Sequence, residues 1–521
     1  MTRINTNVSS IIAQRVLNQN TNALGTSLER LSTGLRINRG ADDPAGLIAS
    51  EALRAEITST GAAIGNAERA DQVLNIAEGG LQEISSLLEE LQGLVTSTAN
   101  TAGLSLEEKE ANQLQIDSIL QTIDRLADST SFQGAKLLNG RLEYTTSGVS
   151  ANVNNFDVRG AKLGFQQQID VEVIVTQSAQ RGALYISAGA SPITFPTGNG
   201  PLVIEVAGAK GSREFSFASG TTLGDIRDAI NTFSSVTGTR AATSGATGLR
   251  LESTDYGDDE YVSVTIVSDG GFDDGGNLRG IYNYTANQND TANAATQQDF
   301  ASVNAANGIR DAGQDVGAAI NGVVASSDGT TARINTDFLN VEVDLTYDPA
   351  AGSANAAILG NLTAFTITGG GADFQLAGDV NISGKESLGI PEFSTSRVGR
   401  KTIDVNGTSQ TNTLADLSGA NALNVVDGNL QGAQEIVDQA IREVATLRGR
   451  LGAFQVNTVG STIRSLGISL ENTTAAESVI RDADFAGETA ALTRGQVLTQ
   501  SATQVLTIAN STPQNALTLL G

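Results

Sequence analysis

Residues 17–35 read LNQNTNALGTSLERLSTGL, and the spacing within them decides the fold. Leu17, Leu24, Leu28, Leu31 and Leu35 step by 7, 4, 3 and 4, which keeps all of them on one helical face. The same rule extends outward. Beyond Pro44, Val73, Ala77, Leu81, Ile84, Leu88, Leu91 and Val95 move only in threes and fours. That run predicts one helix from Ala45 to about Asn100, on the order of 80 Å long at 1.5 Å per residue. A third helix is predicted over about 105–128, because Ser105 stands three residues ahead of Glu108 in capping-box spacing. Its apolar positions are Ile116, Ile119, Ile123 and Leu126. The C-terminal part mirrors this with Leu430, Val437, Ile441, Val444, Leu447 and Leu451, then Ile463, Leu466 and Leu470. Helices of this length cannot bury a stripe inside a compact globule. The two ends are therefore expected to pair as a long antiparallel coiled-coil bundle, with both termini at one end.

Between about 143 and 394 the period drops to two. Residues 169–175 (IDVEVIV), 262–266 (VSVTI) and 339–345 (LNVEVDL) alternate as strands do. Gly270-Gly271, Gly275-Gly276 and Gly369-Gly370-Gly371 punctuate them as turns. Short helices are predicted from Leu223 to Phe233 and around Asp315 to Asn321. The fold class is α+β and multidomain: a helical bundle made from both termini, carrying a β-rich central insertion.

Composition removes most enzyme chemistry. Among 521 residues there is no Cys, His or Trp, so thiol, histidine-base and zinc-histidine catalysis lack their atoms, and disulfides are impossible. Net charge is −25, against the basic stripe that nucleic acid requires. Residues 1–142 carry 11 basic and 17 acidic side chains, 143–394 carry 12 and 29, and 395–521 carry 9 and 11. The acidity thus sits in the middle, and Arg494 is the last charge after Glu488. No stretch approaches the roughly 18 apolar residues of a membrane span, so no membrane insertion is expected. The first seven residues lack the apolar core of a secretory signal.

Short motifs then add a resemblance. Asn18-Gln19-Asn20, 31–38 (LSTGLRIN) and 41–46 (ADDPAG) resemble the N-terminal signature of bacterial flagellins. Residues 132–140 (FQGAKLLNG) resemble the family's turn and strand after the third helix, 480–486 (IRDADFA) its hinge, and 513–520 (PQNALTLL) its closing motif. The likeness covers roughly 1–140 and 420–521. Within 202–267, Thr222-Leu223-Gly224-Asp225-Ile226, Ala229-Ile230-Asn231 and Leu249-Arg250-Leu251 resemble a small module of the outer parts of flagellins and hook-associated proteins. A second copy is suggested at Ala319-Ile320-Asn321-Gly322, and 369–375 also looks flagellin-like.

The resemblance implies a non-enzymatic subunit that polymerises with itself into the extracellular flagellar filament, exported by a type III route without a cleaved signal. Implied partners are an export chaperone, the filament cap and hook-junction proteins; no cofactor is implied. Implied domains are inner terminal helices (1–42 and 484–521), a helical rod with a β-hairpin (43–175 and 395–483), and an exposed insertion (176–394) of two subdomains. Leu17, Leu24, Leu28, Leu31, Leu492, Leu498, Val505 and Leu506 are the polymerisation contacts it implies. An intramolecular core is the alternative reading of each. The alternatives for the whole chain are a hook–filament junction protein and a surface adhesin acting through the insertion.

Other motifs weigh less. Residues 88–94 (LEELQGL) and 97–100 align with the stretch that innate Toll-like receptors sense in some flagellins, which engages Leu88, Glu90, Leu91 and Leu94. Stimulatory members carry arginine where Glu90 stands, and that charge reversal argues against activation. Asp255, Asp258, Asp259, Glu260, Asp269, Asp273 and Asp274 lack calcium-loop spacing and read as solvated turns. Gly384-Lys385 fails as a phosphate loop, with Asp379 at the first glycine position and Glu386 at the magnesium-binding hydroxyl.

Overall fold

The computed structural model describes residues 6–518, apart from 101, 165–167, 190, 195–199, 245–247, 272–278, 284–297, 347–358, 406–407 and 420. Asp273, Asp274, Gly275-Gly276 and the last two residues of the closing motif lie outside the described residues. The chain divides into two compact units: 1–78, 374–385 and 448–521 form one, and 79–373 with 386–447 form the other.

The predicted long helix is one element, Pro44–Thr98, of 55 residues. Asp43 starts it by accepting the Gly46 N–H at 2.9 Å. Ser50 is buried near its start, and from Thr60 on its buried positions are Thr60, Ala63, Ala67, Ala70, Leu74, Ala77, Leu81, Ile84, Leu88, Leu91, Val95 and Thr98, an unbroken alternation of threes and fours. Leu74, not Val73, fills its turn of the seam. In the first unit this helix runs antiparallel to Gly460–Arg481 and the turns before it. Glu51 pairs with Arg481, Asp71 accepts from Gln455, and Glu78 pairs with Arg448. One feature there departs from the sequence reading. The C-terminal helix is not continuous: α-helix Leu430–Ala453 gives way to a π-turn over Phe454–Val459 before Gly460. Such a turn inserts an extra residue and re-aims the seam that follows.

In the second unit, Ser105 caps the third helix, Leu106–Ser129, with both halves of the capping box formed by Glu108. Ile116, Ile119 and Ile123 are buried as the spacing predicted, together with Leu120. Polar side chains on the same helix hold the returning chain. Gln113 donates to the Leu417 carbonyl and accepts the Val425 N–H, each at 2.8 Å, and Asp124 accepts both the N–H and the hydroxyl of Thr395.

Among the described residues the β-rich part shows two apolar cores. A five-stranded and a four-stranded sheet share the first, which includes Tyr144, Val171, Val173, Val341, Val343 and Phe365. All three predicted strands form, as Ile169–Gln177, Tyr261–Ser268 and Leu339–Leu345. Two four-stranded sheets and the helix Leu223–Thr232 share the second core, with Leu202, Ile204, Ile226, Ile230, Val262 and Val264. Thr222 and Asp225 form the capping box of that helix. Asn231 clamps it to the next strand by accepting the Ala241 N–H and donating to the Ala241 carbonyl.

The helix expected around Asp315 to Asn321 is a strand, Gly317–Ile320, paired with Ile169–Gln177. The cause is local. Asn321 and Gly322 both sit at positive φ, 47° and 80°, and turn the strand back as a two-residue hairpin into Val323–Val324. Ala319-Ile320-Asn321-Gly322 is thus a hairpin corner and not a second copy of the helical module.

Candidate functional site

The site is the pair formed by the first helix, Val8–Thr33, and the closing helix, Phe485–Thr518. Asn7 caps the first helix by accepting the Ser10 N–H, and Gly34 ends it in the left-handed conformation. The helices run antiparallel: Asn7 Nδ2 donates to the Ala509 carbonyl, Ser10 to Asn510 Oδ1, and Asn20 Nδ2 to the Leu498 carbonyl. Arg30 and Glu488 close the ladder as an ion pair at 2.9 Å.

Small residues make the closest approach. Ala13, Ser27, Ala502 and Ala509 are buried between the helices, and Leu24 lies against Gly495, where an added Cβ would stand 3.4 Å from Leu24 Cδ1. Larger side chains flank this seam. Leu17, Leu24, Leu31, Leu492 and Leu506 are half-buried. Leu28, Leu498 and Val505 are exposed, and so are Ile11, Ile12, Val497 and Ile508, which the leucine pattern did not single out. The signal that finds them is simple: runs nearly free of charge in two helices that pack on each other. Two helices cannot enclose such a set, so among the described residues these aliphatic side chains stay exposed on the pair.

A short turn links the pair to the long helix. Ile37 is fully buried in it and packs close against Gly46, where an added Cβ would stand 2.5 Å from Asp43 Oδ2 and 2.7 Å from Ile37 Cδ1, so a side chain there would displace both. Asp42 accepts the Arg39 and Asn38 N–H groups, which hold its carboxyl below the usual range. This explains why 36–46 reads RINRGADDPAG: a buried aliphatic, two capping acids and a glycine at the closest approach.

The other singled-out residues fall elsewhere. Leu88 and Leu91 are core, Leu94 is half-buried, and Glu90 is exposed beside Glu89. Asp255 pairs with Lys210, and the Asp315 carboxylate pushes the Asp258 carboxyl up. Among the described residues no three metal-binding side chains converge, and no helix is long and apolar enough to cross a membrane.

Comparison with known proteins agrees in extent. The description "bacterial flagellin N-terminal helical region" matches residues 4–142, "bacterial flagellin C-terminal helical region" 434–520, and "flagellin hook IN motif" 201–255. The flagellin of Salmonella rubislaw is 31% identical over 534 residues, covering 99% of each chain. Flagellin A of Helicobacter pylori is 29% identical and the B-type flagellin of Pseudomonas aeruginosa 28%, each again covering 99% of both chains.

Proposed function

This chain belongs to the bacterial flagellin family, and from that premise we propose how its parts act in the filament. It is a structural, non-enzymatic subunit that forms the flagellar filament of motility. Its terminal helix pair is the polymerising element, with Leu17, Leu24, Leu28, Leu31, Leu492, Leu498, Val505 and Leu506 covered by neighbouring subunits. The observation that carries this is the exposed aliphatic surface on a pair whose own seam is made of alanine, serine and glycine. Such a surface is costly in water and gains free energy only when other copies cover it.

The inner helices (1–42 and 484–521) then form the filament core and 43–175 with 395–483 the surrounding rod, except that the strands of 144–175 share their core with 176–394 and go with it as the outward insertion. Most of the net charge belongs to the central residues, and the polymerising ends carry little, which lets copies stack without like-charge repulsion. The subunit functions outside the cell as part of the flagellum. Its export follows a type III route without a cleaved signal, and a chaperone, the filament cap and hook-junction proteins are the partners it meets. Full-length chain seeded with fragments of its own filaments should grow into long helical tubes by electron microscopy. Folded chain that stays dispersed under seeding contradicts the proposal.

A further inference from the structure

Arg36 sits where the first helix has ended and the closing helix has yet to begin. Its Nε and Nη2 both donate to the Ile480 carbonyl, at 3.1 and 2.5 Å. Its own N–H donates to the Arg481 carbonyl at 2.6 Å, and the Ala483 N–H donates to the Gly34 carbonyl at 2.9 Å, so Leu35 and Asp482 form an isolated antiparallel bridge. The Ile480 carbonyl belongs to the last turn of Gly460–Arg481, one of the groups a helix leaves without an internal partner. A guanidinium there satisfies the carbonyl and complements the helix dipole. Four donor–acceptor contacts thus fix two backbone points to each other.

The rest of the terminal pair fixes its axial register poorly. Asn7 and Asn20 donate to backbone carbonyls, which recur at every residue. The buried seam is shallow, because alanine, serine and glycine offer little relief to lock into. Arg30 and Glu488 are long side chains that can follow a slip of one turn, about 5.4 Å. Ser10 and Asn510 meet through a single exposed hydrogen bond.

We propose that Arg36 is the positioning residue that sets the register of the terminal helix pair, by clasping the Ile480 carbonyl. The inference rests on the polymerising role of that pair and concerns which alignment is presented to neighbouring copies. Removing the guanidinium takes away two of the four contacts and leaves only the two backbone hydrogen bonds of the Leu35–Asp482 bridge to hold the native alignment against slipped ones.

The absence of cysteine from the chain makes a clean test possible. Ser10→Cys with Asn510→Cys reports the native register, and Ser10→Cys with Leu506→Cys reports a slip of one turn. Each pair is placed in chains with Arg36, Arg36→Ala or Arg36→Lys, and doped at low fraction into filaments of cysteine-free chain. Disulfides are then intramolecular, and a variant that cannot polymerise alone is still read. With Arg36, the 10–510 cross-link should dominate. Arg36→Ala should lower its yield relative to 10–506 about tenfold, the worth of a charged hydrogen bond to a carbonyl, and Arg36→Lys should restore part of it. A 10–510 yield in Arg36→Ala equal to that with Arg36 overturns the inference while leaving the polymerising role intact. Failure of the cysteine-free chain itself to form filaments is instead a failure of that role.

Discussion

Replacing Leu28, Leu498, Val505 and Ile508 together by alanine should cripple assembly while sparing the subunit. In the single chain these side chains are 51, 46, 55 and 65% exposed, so about half of each is still available for burial by neighbours. Full burial of such a side chain is worth about 1.5–3 kcal/mol, so the remaining half contributes about 1 kcal/mol each. Four together come to about 4 kcal/mol. At about 1.4 kcal/mol per tenfold, the critical concentration should rise roughly a thousandfold. Alanine is the best helix former, so helix propensity is kept, and the loss of the half of each side chain already packed within the subunit is read separately by thermal unfolding. The assay is seeded elongation followed by sedimentation, with the residual soluble chain as the critical concentration and thermal unfolding of the soluble chain as the control. A critical concentration within about threefold of the unsubstituted chain, at unchanged unfolding temperature, refutes the reasoning.

Three further outcomes follow from the second unit. Burial pushes the Glu443 carboxyl up, although the Gly399 N–H and Gln439 donate to it. A raised value means that the folded chain holds the proton more tightly than the unfolded one. Stability should therefore fall as pH climbs from the ordinary glutamate range through the raised one, and Glu443→Gln should flatten that slope in denaturant titrations across pH. Leu88→Ala should cost about 2–5 kcal/mol in chemical denaturation, as for any fully buried leucine, whereas Glu90→Arg should stay within about 0.5 kcal/mol. Gly322→Ala should destabilise the hairpin by about 1–2 kcal/mol, since φ is 80° and no neighbouring atom crowds the new methyl; an unchanged midpoint would show that the turn tolerates a side chain.

The sequence revealed the helices because their apolar period is long and repeated, and a chance run of that length is improbable. It understated them for one reason. Counting large aliphatics missed Ala63, Ala67 and Ala70, which carry the long helix's seam through the first unit at the same spacing as its leucines. Strands with strict alternation were legible, while Gly317–Ile320 was not, because four small and apolar residues fit either period and the Asn321-Gly322 corner decides between them. The π-turn at Phe454–Val459 leaves no mark in residue type, since it depends on how two seams meet. Of the proposed assembly surface, the leucines were visible, while Ile11, Ile12, Val497 and Ile508 beside them were not. Arg36 lay in a recognised motif, but its role requires the Ile480 carbonyl, 444 residues away, and no local pattern announces that contact.

The most direct measurement is seeded growth of a chain lacking residues 1–42 and 484–521, followed by electron microscopy, with circular dichroism to confirm the remaining fold. If the terminal helix pair is the polymerising element, this chain stays dispersed and folded at concentrations where the full chain is entirely in filaments. Long tubes formed by the shortened chain would contradict that role outright.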